Sequence, residues 1–199
     1  MYLENKLLAI LKVIPEMEQG QRFILGIDGL SRSGKTTLVK KVEDYLREKN
    51  VSVCIFHLDD YIVERKRRYN TTYDEWYEYY YLQWDVEWLK DNLFKELKVA
   101  KELHLLQYDC NSDTQQLQVV EMPDTCLIII EGVFLQRSEW RVFFDYLIYL
   151  DSARDRRLKR ESAVTQKNIS KFKMRYWKAE DYYIETVSPI EQANLVILN

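Results

Sequence analysis

The sequence predicts an α/β protein: a five-stranded parallel sheet with helices packed on both of its faces. Three observations carry this expectation. Residues 22–28 (RFILGID) and 51–57 (VSVCIFH) are apolar runs without polar alternation, the pattern of strands covered on both sides. Between them, residues 35–49 place Leu38, Val42, Tyr45 and Leu46 on one helical face, so strand, helix and strand form a βαβ unit. Two further apolar runs, 126–131 (CLIIIE) and 146–151 (YLIYLD), each end in an acid, and 195–198 supplies a fifth strand.

The other elements follow from local patterns. Leu3, Leu7, Leu11 and Ile14 share a helical face and predict a leading helix, within residues 1–20, that stops at Pro15. Residues 69–88 hold six tyrosines (69, 73, 77, 79, 80, 81) and three tryptophans (76, 84, 88), followed by a helix over 85–98. Of these, Tyr73, Trp76, Tyr77 and Tyr80 could line an aromatic pocket, although such a run more often belongs to a core or an interface. Residues 103–108 and 117–121 read as a hairpin beside the main sheet, and 153–163 and 169–183 as helices. There is no internal repeat and no linker rich in Pro, Gly or Ser, so residues 1–199 are expected to form a single domain.

Composition narrows the function. Only 5 of 199 residues are glycine, roughly a third of ordinary usage, which excludes collagen-like and low-complexity readings. No apolar run approaches a membrane span. Residues 1–14 are interrupted by Glu4, Lys6 and Lys12 and lack a small-residue cleavage site, so cytoplasmic residence is expected. Cys54, Cys110 and Cys126 are widely spaced and odd in number, and read as reduced packing residues. Residues 154–178 carry ten Lys/Arg against two acids, a segment of +8 within a chain of net charge −3. A basic block in an otherwise acidic chain suggests a local anion site rather than nucleic-acid binding. The basic stretch 65–68 (RKRR) reads as a solvated loop near the mouth of the site rather than a targeting signal.

Three of the five glycines, Gly26, Gly29 and Gly34, fall within nine residues, and the last two bracket a motif. Gly29-Leu30-Ser31-Arg32-Ser33-Gly34-Lys35-Thr36 fits G-x-x-x-x-G-K-[ST] between a predicted strand and a predicted helix. In such a loop backbone N–H groups cradle a β-phosphate, the lysine reaches the β and γ oxygens, the hydroxyl binds Mg²⁺, and the helix adds its positive end. Gly29, Ser31, Ser33, Gly34, Lys35, Thr36 and Thr37 are therefore the expected nucleotide-binding residues, with Lys35 also catalytic. Glycine spacings for dinucleotide folds and protein kinases are absent, as are D-x-x-G with N-K-x-D and L-S-G-G-Q. A small-molecule kinase remains.

The string GIDGLSRSGKTTL, then HLDDY at 57–61 and IIIEG at 128–132, resembles the uridine kinase and phosphoribulokinase-like family, including its nicotinamide riboside kinase relatives. Weaker agreement at Gln83-Trp84-Asp85, Tyr108-Asp109, 156–161 and Arg175-Tyr176 extends the resemblance over residues 23–198. The resemblance implies a lid over about 153–170, an acceptor-binding insertion over about 60–122, and transfer of the γ-phosphoryl of ATP or GTP, with Mg²⁺, to a hydroxyl of a nucleoside or similar small metabolite. Asp59 follows the second strand, where it can act as general base or hold Mg²⁺ through water. Glu131 is expected to orient Mg²⁺ beside Thr36. Arg156 and Arg160, four apart on one helical face, are the expected lid residues, with Arg157 and Lys167 as further candidates. Asp85 and Tyr108 match acceptor-binding positions.

Departures are specific. The first acceptor segment reads Q-W-D-V-E, Asp113 stands where uridine kinases carry histidine, and ESAVTQKN at 161–168 lacks their R-D and glycine. Flexibility for closure is expected in the loop 162–168. A regulator that binds nucleotide without turnover is the alternative, and a single-strand nucleic-acid binder using the Tyr/Trp segment is a weaker one. Neither a nucleic-acid nor a membrane partner is expected, and homo-oligomerisation is left open.

Overall fold

The computed structural model describes residues 3–167 and 169–199, leaving the side chains at 3, 164 and 165 outside the description. The contact expected of Leu3 and the end of the expected loop at Asn168 therefore lie outside the described residues. In chain order the elements begin with α1 (Leu3–Leu11), β1 (Arg22–Asp28), α2 (Lys35–Glu48) and β2 (Val53–His57). A 3₁₀ turn (Leu58–Tyr61), α3 (Arg65–Arg68), α4 (Glu75–Tyr81) and α5 (Val86–Leu89) follow, then β3 (Glu102–Asp109), β4 (Thr114–Glu121), β5 (Cys126–Gly132) and β6 (Tyr146–Asp151). The chain closes with α6 (Arg154–Lys159), α7 (Ala163–Lys167), α8 (Ile169–Lys171), α9 (Lys178–Val187), α10 (Pro189–Gln192) and β7 (Leu195–Leu198).

Five strands form one parallel sheet in the order β2-β5-β1-β6-β7. Because successive side chains alternate in direction, each strand feeds two cores. Leu127 and Ile129 of β5 join Leu25, Ile27, Ile148 and Leu150 beneath Ile10 of α1 and Leu38, Val39 and Val42 of α2. Cys126, Ile128 and Ile130 face the opposite layer, where Phe134, Trp140, Phe94 and Tyr183 pack. All seven residues of β5 are buried, which explains its unbroken apolar run.

β3 and β4 form a separate antiparallel hairpin from Glu102↔Glu121 to Asp109↔Thr114. Its base is tied to the sheet by Arg22, whose guanidinium donates to the carbonyls of Leu97 (3.0 Å), Ala100 (2.7 Å), Met122 (3.1 Å) and Pro123 (2.9 Å). A charged donor that reaches four carbonyls keeps its hydrogen bonds when removed from water, which is how an arginine is accommodated at the edge of a core.

Local structure differs from expectation in three places. The helix expected over 85–98 is α-helical only over Val86–Leu89 and passes into a π-type turn, Lys90–Phe94. The helix expected over 169–183 continues to Val187 through a π-type stretch, Phe172–Trp177. The expected flexible loop 162–168 is instead helical over Ala163–Lys167, with the Gln166 N–H donating to Ser162 O at 2.9 Å. Without glycine or proline in this stretch, nothing in its composition opposes a helical turn.

Gly132 ends β5 against the 3₁₀ turn: a Cβ there would lie 2.6 Å from Leu58 Cβ. That atom moves only with the backbone carrying Asp59. Gly132→Ala is therefore expected to cost about 1–3 kcal/mol through overpacking, read as a lower chemical-denaturation midpoint with an unchanged m-value.

Candidate active site

The loop after β1 occupies the C-terminal edge of the sheet, where β1 lies between β5 and β6. Such a position is where open α/β sheets bind ligands. Gly29 passes so close to β6 that a Cβ would lie 2.7 Å from Leu150 O and 2.9 Å from Ser33 Oγ. Gly34, at φ 99°, takes the left-handed turn into α2. Lys35 is buried, and its Nζ donates to Gly29 O (2.9 Å) and Leu30 O (3.2 Å) across the loop it closes.

Three sets of contacts hold this loop from behind. Asp28, fully buried, accepts hydrogen bonds from Gly29 N (2.8 Å), Leu135 N (3.3 Å), Gln136 Nε2 (3.0 Å) and Tyr183 Oη (2.6 Å). Burial raises its carboxyl above the ordinary value, and the hydrogen bonds from Tyr183, Gln136 and Gly29 oppose the rise. Arg157 and Glu180 form a buried bidentate pair at 2.7 and 2.9 Å. Both partners also grip Ser31, whose N–H donates to Glu180 (3.1 Å) and whose carbonyl accepts from Arg157 (2.9 Å). At the third point the Asn199 amide donates to Ser33 O, while its own oxygen accepts from Lys6 of α1.

In front of the loop lies a cavity of about 750 Å³. Ser31, Gly34, Lys35, Thr36 and Thr37 line one side, with Asp59 and Glu131 facing them. Thr36 Oγ1 donates to Glu131 Oε1 at 2.8 Å, and His57 Nδ1 lies 2.8 Å from the same oxygen. Burial opposes ionisation of Glu131, but His57, Lys35 and Thr36 outweigh it and hold the carboxyl below its ordinary value. The same hydrogen bond raises the His57 imidazole. Asp59 is open to the water of the cavity, although protein encloses it on most sides. That enclosure raises its carboxyl; Lys35 pulls it back, and Glu131 and Asp60 push it further up.

The remaining expected residues divide. Arg160 lines the cavity and donates to Arg32 O at 2.7 Å. Arg156 is exposed and lies outside the cavity lining, because only one of the two positions on that short helix reaches the loop. Arg157 is a buried clamp rather than a mobile lid residue. Asp85 also lies outside the lining: it caps α5 by accepting from Trp88 N (3.2 Å) and pairs with Arg67 at 3.0 Å. Tyr108 borders an adjoining hollow, where its hydroxyl donates to Asp113 at 2.8 Å. Tyr73, Trp76, Tyr77 and Tyr80 do not line the cavity; they pack in an aromatic chain with Tyr81, Tyr182 and Phe134.

The aromatic wall of the cavity comes instead from Tyr69, Tyr79, Phe172 and Tyr176. Gln83 also lines it, buried to 8% exposure, and its Oε1 has no hydrogen-bond partner among the described residues. Gln83 stands two residues before Asp85, in the same segment that matched the acceptor motif. Glu180 and Asp28 carried no comparable signal.

The family model named Phosphoribulokinase / Uridine kinase family matches residues 24–198. A solved structure described as a possible uridine kinase from Bacillus stearothermophilus superposes with a TM-score of 0.87 at 50% identity, covering 99% of this chain and 100% of that one. A uridine kinase of Borrelia garinii subsp. bavariensis is 30% identical over 186 residues, 87% of this chain and 85% of its own. At 11% identity, D-glycerate 3-kinase from Cryptococcus neoformans var. grubii shares the fold, with a TM-score of 0.53 over 96% of this chain and 85% of that one.

The clamp on Ser31 separates two kinds of ion pair. Glu180→Gln leaves the buried Arg157 charge uncompensated and is expected to cost about 3–5 kcal/mol. Removing the half-exposed Arg154 from Asp181 (Arg154→Ala) is expected to cost less than about 1 kcal/mol. Guanidinium denaturation of the two variants beside the parent reads the difference.

Proposed function

This chain belongs to the Phosphoribulokinase / Uridine kinase family, and from that premise we propose that it transfers the γ-phosphoryl group of ATP or GTP to a hydroxyl of a nucleoside or similar small metabolite. The observation that carries the reading is the convergence of Lys35, Thr36, Asp59 and Glu131 on one cavity at the C-terminal edge of a parallel sheet.

In this reading the loop N–H groups and the α2 N-terminus bind the donor's phosphates, and Lys35 supplies a positive charge toward the transferred group. Mg²⁺, when bound, neutralises and orients the phosphoryl oxygens. Its oxygen-donor requirement fits Thr36 Oγ1 and Glu131 Oε1, which lie 2.8 Å apart. Among the described residues no group of three or more His, Cys, Asp or Glu could form a metal cage. That agrees with an ion held by one or two protein oxygens and the substrate's phosphates. Asp59 accepts the proton of the attacking hydroxyl; its raised carboxyl brings it nearer to the acceptor's task than an ordinary aspartate. Gln83 lines the same cavity as Asp59. Arg160 approaches the phosphates from the lid, over about 153–170, while Arg156 and Lys167 stay peripheral. The acceptor region spans about 60–122, and both belong to one kinase domain over 1–199.

Phosphoryl transfer to a library of nucleosides, ribosides, sugars and sugar phosphates, with each donor and Mg²⁺, tests the reading. Lys35→Ala is expected to lower turnover by at least about 10²-fold. Asp59→Asn is expected to lower kcat by about 10²–10⁴-fold while still binding ADP. Full turnover by Asp59→Asn would remove the general-base role.

A further inference from the structure

We infer that the acceptor carries an anionic group, a phosphate ester or a carboxylate, seated in the hollow beside the main cavity by Arg65, Lys66, Arg68 and Lys171. The inference rests on the kinase reading above and specifies its substrate class. The hollow measures about 620 Å³ and shares Ile62, Tyr69 and Lys171 with the cavity that holds Asp59. Ile62 lies three residues beyond Asp59, so a molecule presenting its hydroxyl to Asp59 can extend over Ile62 into this space.

Every charged side chain lining the hollow is a cation. Arg65 donates to Cys110 O (2.9 Å), and the buried Arg68 donates to Val63 O (2.7 Å) and Tyr108 Oη (3.2 Å). Among the described residues neither guanidinium is bonded to a carboxylate. Lys66 makes no ion pair among the described residues, and Lys171 only overhangs the Tyr69 ring. Asp113 lies outside the lining, where it accepts from Tyr108 Oη (2.8 Å) and Arg65 N (2.9 Å). Four lining cations and no lining carboxylate leave a positive field in a concave wall, which favours an anion.

The same contacts disfavour an uncharged nucleobase. The Arg68 guanidinium already covers a face of Tyr69 (4.8 Å) and of Tyr108 (5.3 Å), and Arg175 sits 4.0 Å from the Tyr69 ring centre. Both rings that line the hollow therefore already carry a guanidinium on a face. Arginine and lysine at such a wall suit a phosphate or carboxylate by bidentate and point-charge contacts.

Calorimetric binding of ribose 5-phosphate, gluconate, ribose and uridine, with ADP as the donor-side probe, tests the assignment on the full chain. The wild type is expected to bind ribose 5-phosphate or gluconate at least about tenfold more tightly than ribose or uridine. The exposed pair Arg65→Ala/Lys66→Ala, neither of which lines the main cavity, is expected to lose about tenfold or more of that affinity while ADP affinity is retained. Tighter binding of uridine than of either anion, or an unaltered anion affinity in the double variant, overturns the inference. Absence of both ADP binding and phosphoryl transfer in the wild type instead overturns the kinase reading, and the anion site is then judged by the ribose 5-phosphate arm alone.

Discussion

The Asp28 carboxylate is the point on which the loop, the sheet and the C-terminal helix meet. It ends β1 in a fully buried position, and its donors come from the phosphate-loop backbone, the segment after β5, and Tyr183 of α9. A buried carboxylate must be hydrogen-bonded or it neutralises. Satisfying it therefore fixes the relative position of three segments distant in sequence. The first residue of the loop is set by this network, and the geometry of Lys35 and Thr36 follows from the turn that begins there.

A second layer of control comes from buried ion pairs between helices. Arg157 and Glu180 join α6 to α9 while holding both backbone groups of Ser31. Arg175 and Glu78 join the π-type stretch to α4 at 2.8 Å, and Arg175 also donates to Arg68 O at 2.9 Å. Buried pairs of this kind are weak sources of net stability but restrictive about geometry. Through Arg175, the π-type stretch and α4 are tied to the wall of the cationic hollow.

Much of the fold was legible because its signals were local. Unbroken apolar strands, a glycine-bracketed loop between strand and helix, and an acid at the end of β5 each require only neighbouring residues to interpret. The candidate site was legible to the same depth: Lys35, Thr36, Asp59 and Glu131 all face one cavity. Arg156, Arg157 and Asp85 show where local reasoning stops. Helical spacing put Arg156 and Arg160 on one face, yet the buried partner that decides an arginine's role, Glu180, lies 23 residues beyond Arg157. Asp85 followed the motif, but a cap on α5 and an ion pair with Arg67 occupy its carboxylate.

By itself the sequence determined the α/β class, the phosphate loop and the identity of the carboxylates beside it, because backbone preference, hydrophobic period and glycine placement act over a few residues. Only the tertiary structure decided which arginine clamps and which faces the cavity, which aromatic rings form its wall, and that Arg65, Lys66 and Arg68 of the RKRR stretch line a hollow beside it. Those outcomes depend on partners brought together from distant positions, and on which charges the packing leaves without a carboxylate. No periodicity along the chain encodes either.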